Sequence, residues 1–254
     1  MLFRRKALRK PRSFVPPGER VYAIGDVHGR LDLLTALVEQ IERDDRSRAP
    51  AETSLIFVGD LVDRGPDSAG VVRLARHLAE HSRFRVRLIK GNHEEILILA
   101  AQGNARAARA LVDVGGEVTI RSFGISDAEA GQGSFADLAD LLRRRLPREE
   151  IDFLERAEDM IEIGDYVFVH AGIRPGVPLE QQEAADLRWI RREFLESNQD
   201  HGKVIVHGHT VADDVQDLPN RIGLDTGAFA TGKLSAVGLE GDHRWFLALS
   251  LIHI

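Results

Sequence analysis

Apolar and polar positions follow two different periods along the first hundred residues. Short, β-branched apolar runs occur at 21–24 (VYAI), 54–58 (SLIFV) and 85–89 (RVRLI), and each is followed within two residues by a glycine: Gly25, Gly59 and Gly91. Between the runs the spacing lengthens to three and four, with Leu31, Leu34, Leu37, Val38 and Ile41 in one segment and Val71, Val72, Leu74, Ala75 and Leu78 in the next. The longer spacing marks one face of a helix, whereas compact apolar runs mark buried strands. Strand–loop–helix in repetition predicts βαβ units and a parallel sheet. In such sheets, ligand sites gather beyond the carboxyl ends of the strands.

The text from about 95 to 160 reads differently. Leu- and Ala-rich helical stretches (ILILAAQ, ARAARALV, FADLADLLRRRL) are interrupted at Gly115-Gly116 and between Gly131 and Gly133. They predict a helical insertion. Strand character returns at 166–169 (YVFV) and 204–206 (VIV). The closing runs at 222–224, 234–239 and 245–251, separated by glycine turns, predict short antiparallel strands. No solenoid repeat and no low-complexity linker divides the chain, so a single domain is expected over 19–254.

Composition narrows the chemistry. The chain has 254 residues, 43% of them hydrophobic and 29% charged, and no cysteine. Thiolate nucleophiles, disulfides and thiolate metal sites are therefore excluded, and any metal must be held by imidazole, carboxylate or amide oxygen. No apolar stretch is long enough to span a bilayer and no secretory leader is visible, so a cytoplasmic location is expected. The net charge of −6 hides an asymmetry: Arg4, Arg5, Lys6, Arg9, Lys10 and Arg12 crowd the first twelve residues. Removing those six positive charges leaves −12 on the rest. An acidic body argues against binding duplex nucleic acid. The basic stretch predicts a disordered tail over 1–18, ending at Pro16-Pro17-Gly18 and able to touch anionic surfaces.

The polar residues after each strand carry the chemistry. Gly25-Asp26-Val27-His28-Gly29 follows the first, Gly59-Asp60-Leu61-Val62-Asp63-Arg64-Gly65 the second and Gly91-Asn92-His93-Glu94 the third. His170-Ala171-Gly172 and His207-Gly208-His209-Thr210 follow the two later strands. Taken singly, each Asp reads equally as a helix or turn cap and each His as a hydrogen-bonded structural residue. Repetition at five strand ends changes that, because all the donors then arrive at one rim. Oxygen and imidazole donors in this mixture suit manganese, iron or zinc better than calcium.

The series GDVHG, GDLVDRGPDS, GNHE, HAG and GHT resembles the calcineurin-like metallophosphoesterases. Within them it is similar to the small bacterial and phage-type phosphoprotein phosphatases and to the symmetrical diadenosine tetraphosphatases. The resemblance implies a four-layer αββα sandwich of two mixed sheets. It implies two divalent ions, most often manganese: Asp26 and His28 on the first, Asp60 bridging, and Asn92, His170 and His209 on the second. A hydroxide bridging the ions would attack phosphorus in line. His93 matches the general acid and Asp63 the carboxylate that orients it. Arg64 matches the phosphate-holding arginine. A second arginine is expected from DLRWIRREF, where Arg191 fits the position, with Arg188 and Arg192 as neighbouring alternatives and Trp189 read as packing. His207 is read as supporting the site or lying on the sheet, and Asn220, Asp225 and Thr226 as supporting the rim. The implied substrate is a phosphomonoester on protein Ser/Thr or a small phosphoester. A dinucleoside polyphosphate, or a non-catalytic phosphate-binding scaffold, stands as the alternative.

Overall fold

The computed structural model describes residues 13–250. From its start the chain forms β1 (Glu19–Ile24), α1 (Leu31–Arg46), β2 (Glu52–Phe57), α2 (Ser68–His81) and β3 (Arg85–Leu88). Six helices follow: α3 (Asn92–Ala101), α4 (Ala105–Asp113), α5 (Glu117–Ser122), α6 (Asp127–Ala130), α7 (Phe135–Arg145) and α8 (Arg148–Glu155). The second half holds β4 (Met160–Ile163), β5 (Tyr166–Val169), α9 (Ala184–Trp189), α10 (Arg192–Leu195), β6 (Val204–His207), β7 (Gln216–Asp217) and β8 (Arg221–Gly223). It closes with α11 (Ala228–Thr231), β9 (Lys233–Glu240) and β10 (His243–Ser250).

The strands assemble into two mixed five-stranded sheets, ordered β10-β9-β1-β2-β3 and β4-β5-β6-β8-β7. Strict side-chain alternation explains the layering, since successive residues of a strand face opposite sides. On β1, Val21 and Ala23 meet Phe168, Val206 and Ile222 of the other sheet, while Tyr22 and Ile24 face α1 and α2. On the second sheet, Val167, Val169 and Ile205 turn outward onto Leu187, Ile190 and Phe194 of the α9–α10 region. The result is helix, sheet, sheet, helix. Local signals agree with it: Asp67 caps α2 through Gly70 N, and Ser134 and Asp137 form a capping box at α7.

Two expectations are corrected. β8, expected to be antiparallel, is so only to the short β7 on one side; on the other it runs parallel to β6, with Ile222 opposite Val206. The length of chain between β6 and β8 permits this crossover, while β9 and β10, joined by a tight turn, form the expected hairpin. Two strands were not expected: the four-residue β4, although its MIEI text is mostly apolar, and the two-residue β7, which is too short to carry a pattern. Finally, the assigned tail is too long. Residues 1–12 lie outside the described residues, but Val15 is fully buried and donates its N–H to Gly241 O at 2.9 Å. Phe14 exchanges bonds with Asp165, N–H to carboxylate and carbonyl to N–H, each at 2.9 Å. This strap ties one sheet to the other. No helix among the described residues is long and apolar enough to cross a membrane.

Candidate metal centre and acid–base pair

The carboxyl ends of β1, β2 and β3 in one sheet, and of β5 and β6 in the other, converge on a single buried cluster. Backbone bonds sew the loops together. Val27 N and His28 N both donate to Asp60 O (3.0 and 2.8 Å), and Gly208 N donates to His170 O at 2.8 Å. His209 N donates to Asp26 Oδ2 at 2.9 Å, joining the first strand end to the last. Approach is so close at Gly208 that a Cβ there would strike Asp26 Oδ1.

Two groups of three donors result, His28–Asp60–His93 and Asp60–His170–His209, with the donor atoms of each within 4.8 Å of one another. Asp60 belongs to both. His170 Nε2 also lies 2.9 Å from Asn92 Oδ1 and 3.2 Å from His209 Nδ1. Two imidazole rings are aimed by backbone carbonyls on their outer nitrogens: His28 Nδ1 to Val62 O at 2.7 Å and His170 Nδ1 to Val58 O at 2.9 Å. That arrangement turns Nε2 inward and is how metal-binding histidines are commonly oriented.

The charges ask for a cation. Asp26 Oδ1 is buried without a hydrogen-bond partner, and burial, with Asp225 nearby, holds the Asp26 carboxyl well above its ordinary range. Burial also raises Asp60, yet His170, His93 and His28 outweigh it and keep Asp60 well below the usual carboxylate range. His170 answers in kind: burial depresses it, but Asp60 and Asp26 dominate and push it up to about 10. Burial lowers His28 and His209 to about 3, leaving both rings neutral with lone pairs to offer. In the ion-free protein the His170 proton thus supplies positive charge that a dication would supply instead. Carboxylates, neutral imidazoles and one amide oxygen fit a first-row divalent metal.

Beside this cluster, His93 Nδ1 lies 2.6 Å from Asp63 Oδ2, with both groups buried. Burial lowers the imidazole, but Asp60 and Asp63 outweigh it and the His93 pKa is raised. The exposed Arg64 guanidinium reaches across, Nη1 3.0 Å from His28 Nε2 and Nη2 3.0 Å from His93 Nε2, over the ring of Phe229. The backbone here is costly. Among the described residues five non-glycine positions have positive φ: His28 (45°), Asp60 (50°), Asp63 (71°), Arg64 (68°) and His209 (65°). All five are residues singled out from the sequence. Left-handed backbone at such residues costs about 1–3 kcal/mol each and persists where surroundings over-determine it.

The three arginine alternatives separate. Arg188 is engaged by Glu95 and Asp159, and Arg192 pairs with Glu196 at the surface. Arg191 reaches the His209 loop, Nη1 3.3 Å from both His209 O and Thr210 Oγ1. Trp189 is not packed as expected but 43% exposed, its indole N–H given to Glu95 at 2.7 Å. His207 turns away from the cluster onto Phe194. A cavity of about 620 Å³ lies within the insertion, lined by Ile120, Arg121, Phe135 and Leu138, and none of its lining residues belongs to the cluster.

Two supports were missed by sequence reasoning. Glu94, quoted in GNHE without a role, accepts the N–H groups of Asp60, Leu61 and Gly91. Its adjacency to Asn92 and His93 was the available signal. Thr119, in the insertion, bonds Asp63 and had no signal at all.

The model of the calcineurin-like phosphoesterases matches residues 19–232. The chain belongs to that family. It is a metallophosphoesterase, with the two-sheet sandwich that the motif series implied and clusters able to hold the metals on which the family depends. The asymmetrical bis(5'-nucleosyl)-tetraphosphatase of Bacillus velezensis is 29% identical, over 84% of this chain and 86% of its own. Serine/threonine-protein phosphatase 2 of Escherichia coli is 28% identical, over 85% and 90%. The symmetrical bis(5'-nucleosyl)-tetraphosphatase of Nitrosospira multiformis is 26% identical over 74% of this chain, and the match spans only 60% of that relative. In fold, the chain is similar to the crystal structure of a candidate diadenosine tetraphosphatase, with a TM-score of 0.62, 23% identity, and 93% and 98% coverage.

Proposed function

We propose that this metallophosphoesterase cleaves phosphomonoesters of serine and threonine in proteins, using two divalent ions, most often manganese. The first ion would be held by Asp26 and His28, the second by Asn92, His170 and His209, with Asp60 shared. Bound there, the ions would supply an acidified water and neutralise charge on the phosphoryl group. Arg64, one turn of chain from the shared carboxylate, holds non-bridging phosphate oxygens with its planar fork, and Arg191 offers a second guanidinium from the opposite loop.

The observation that carries this reading is the buried pair Asp63–His93, 2.6 Å apart. As water adds to phosphorus and the ester P–O bond breaks, that bond's electron pair goes to the departing oxygen. Protonated His93, released by Arg64 as the guanidinium moves onto the phosphate, gives that oxygen its Nε2 proton. A serine or threonine alkoxide is a strongly basic leaving group and depends on that proton, whereas a nucleotide phosphate leaves as a weak base with little need of it. The near end-to-end match with serine/threonine-protein phosphatase 2 supports the same reading. The equally long match with the asymmetrical tetraphosphatase supports a second, hydrolysis of a dinucleoside polyphosphate by the same residues. Parallel rates on manganese-loaded protein decide between them. A kcat/KM at least roughly tenfold higher on phosphoserine and phosphothreonine peptides than on diadenosine tetraphosphate is expected, about 1.4 kcal/mol of transition-state preference. The reverse preference transfers the site to nucleotides.

A further inference from the structure

We propose that Thr119, carried by the helical insertion, is a positioning residue for the acid step, fixing the Asp63 carboxylate that aims His93. The inference rests on the reading of His93 as general acid. Asp63 spends its two carboxylate oxygens on two partners: Oδ2 on His93 Nδ1 at 2.6 Å and Oδ1 on Thr119 Oγ1 at 2.7 Å. Asp63 N donates to Thr119 Oγ1 at 2.8 Å and to Ser68 Oγ at 3.0 Å, and the two hydroxyls are 2.8 Å apart.

Counting protons gives this cluster a direction. An ionised Asp63 can only accept, so Thr119 must give its single proton to Oδ1. Ser68 must then give its proton to Thr119 Oγ1. The chain runs Ser68 to Thr119 to Asp63, met from the other side by His93. Ser68, Thr119, Asp63 and His93 are all buried, so water is not at hand to replace a lost bond. With one oxygen tied to Thr119, the carboxylate cannot turn about its own axis, and the other oxygen stays on His93 Nδ1.

The insertion also holds the backbone that carries the pair. Asp63 and Arg64 are consecutive non-glycine residues at φ 71° and 68°. The N–H of the first is bound by Thr119 in α5, and that of the second by Gly115 O, in the turn before α5, at 3.1 Å. A segment inserted between two strands of the sandwich thus secures both the acid's partner and the phosphate-holding arginine.

Aryl phosphates of graded leaving-group basicity test this with Thr119→Val, Thr119→Ser and His93→Asn. In Thr119→Val, kcat is expected to fall roughly tenfold or more on phenyl phosphate and much less on 4-nitrophenyl phosphate, with KM and metal content held. Thr119→Ser, which keeps the hydroxyl, should restore the parent pattern. On ion-free protein, the downfield His93 Nδ1 proton, assigned by its loss in His93→Asn, should exchange faster with water in Thr119→Val and recover in Thr119→Ser. Equal losses on both esters, or an unchanged slope and proton signal, overturn the role of Thr119. If Thr119→Val does not fold, Ser68→Ala must steepen the slope in the same sense, and an unchanged slope there overturns the proposal. If His93→Asn itself leaves the slope unchanged, the acid reading falls first; if only Thr119→Val does, that reading stands without this one.

Discussion

The Glu94 carboxylate takes the backbone N–H of Asp60 at 2.8 Å, so a buried acid holds in place the one residue common to both donor clusters. The same side chain takes Leu61 N at 2.8 Å and Gly91 N at 2.9 Å, binding the β2 and β3 loops to each other. Burial, with Asp60 adding to it, pushes Glu94 up to about 7. Glu94→Gln would set an amide NH₂ against one of these three N–H groups. A loss of roughly 1–3 kcal/mol in stability is expected, with weaker metal binding, read by urea unfolding and by titration calorimetry.

Asp60→Asn should weaken both ions together, because Asp60 is the carboxylate the two clusters have in common. Metal analysis after gel filtration checks it. A variant that keeps two tightly held ions would remove Asp60 from its shared position. For the parent protein, chelation should abolish turnover and lower Tm, since an ion that binds only the folded chain stabilises it by mass action.

His93→Asn should keep both ions yet lower kcat by roughly 10²–10⁴, the range for losing a general acid. Single-turnover measurement on a phosphoserine peptide, with metal content in parallel, separates the chemical step from binding. Undiminished turnover would refute the acid role, whereas loss of an ion would place His93, beside His28 and Asp60, in the ligand set.

Far from the rim, Arg20 is buried with Asp45, Nη1 to Oδ1 at 2.6 Å, and Arg83 approaches the other oxygen at 2.7 Å. Burial raises Asp45, but bonds from Arg20 and Thr53 and the Arg83 charge outweigh it, leaving its pKa lowered. A folded pKa below the unfolded value of about 3.9 means stability that is present above that pH. It is lost as pH falls through the folded value. Asp45→Asn should therefore cost roughly 2 kcal/mol at pH 7, moderated because Glu240 still pairs with Arg20. The difference between variant and parent should shrink below about pH 4, as urea unfolding at several pH values would show.

Much of this was legible in the chain because periodicity and glycine mark strand ends. The runs before Gly25, Gly59 and Gly91 gave β1, β2 and β3 to within two residues at either end. Parallel strands deliver their following loops to one edge, which is why Asp26, Asp60, Asn92 and His170 converge although nothing local requires it. What escaped notice depends on contacts distant in sequence. Thr119 stands 56 positions from Asp63, inside helical text whose periodicity reports only its apolar face. The parallel pairing of β8 with β6 and the exposure of Trp189 are likewise decided by what lies opposite, which no run of residues encodes.

The strap at Phe14 and Val15 fastens to Gly241, in the turn between β9 and β10 beside the start of β1, and to Asp165, just before β5, at the strand ends opposite the donor clusters. The described chain therefore begins on the side away from the donor clusters. Trimming the chain past Phe14 would cut this tie between the two sheets and open the buried place that Val15 fills.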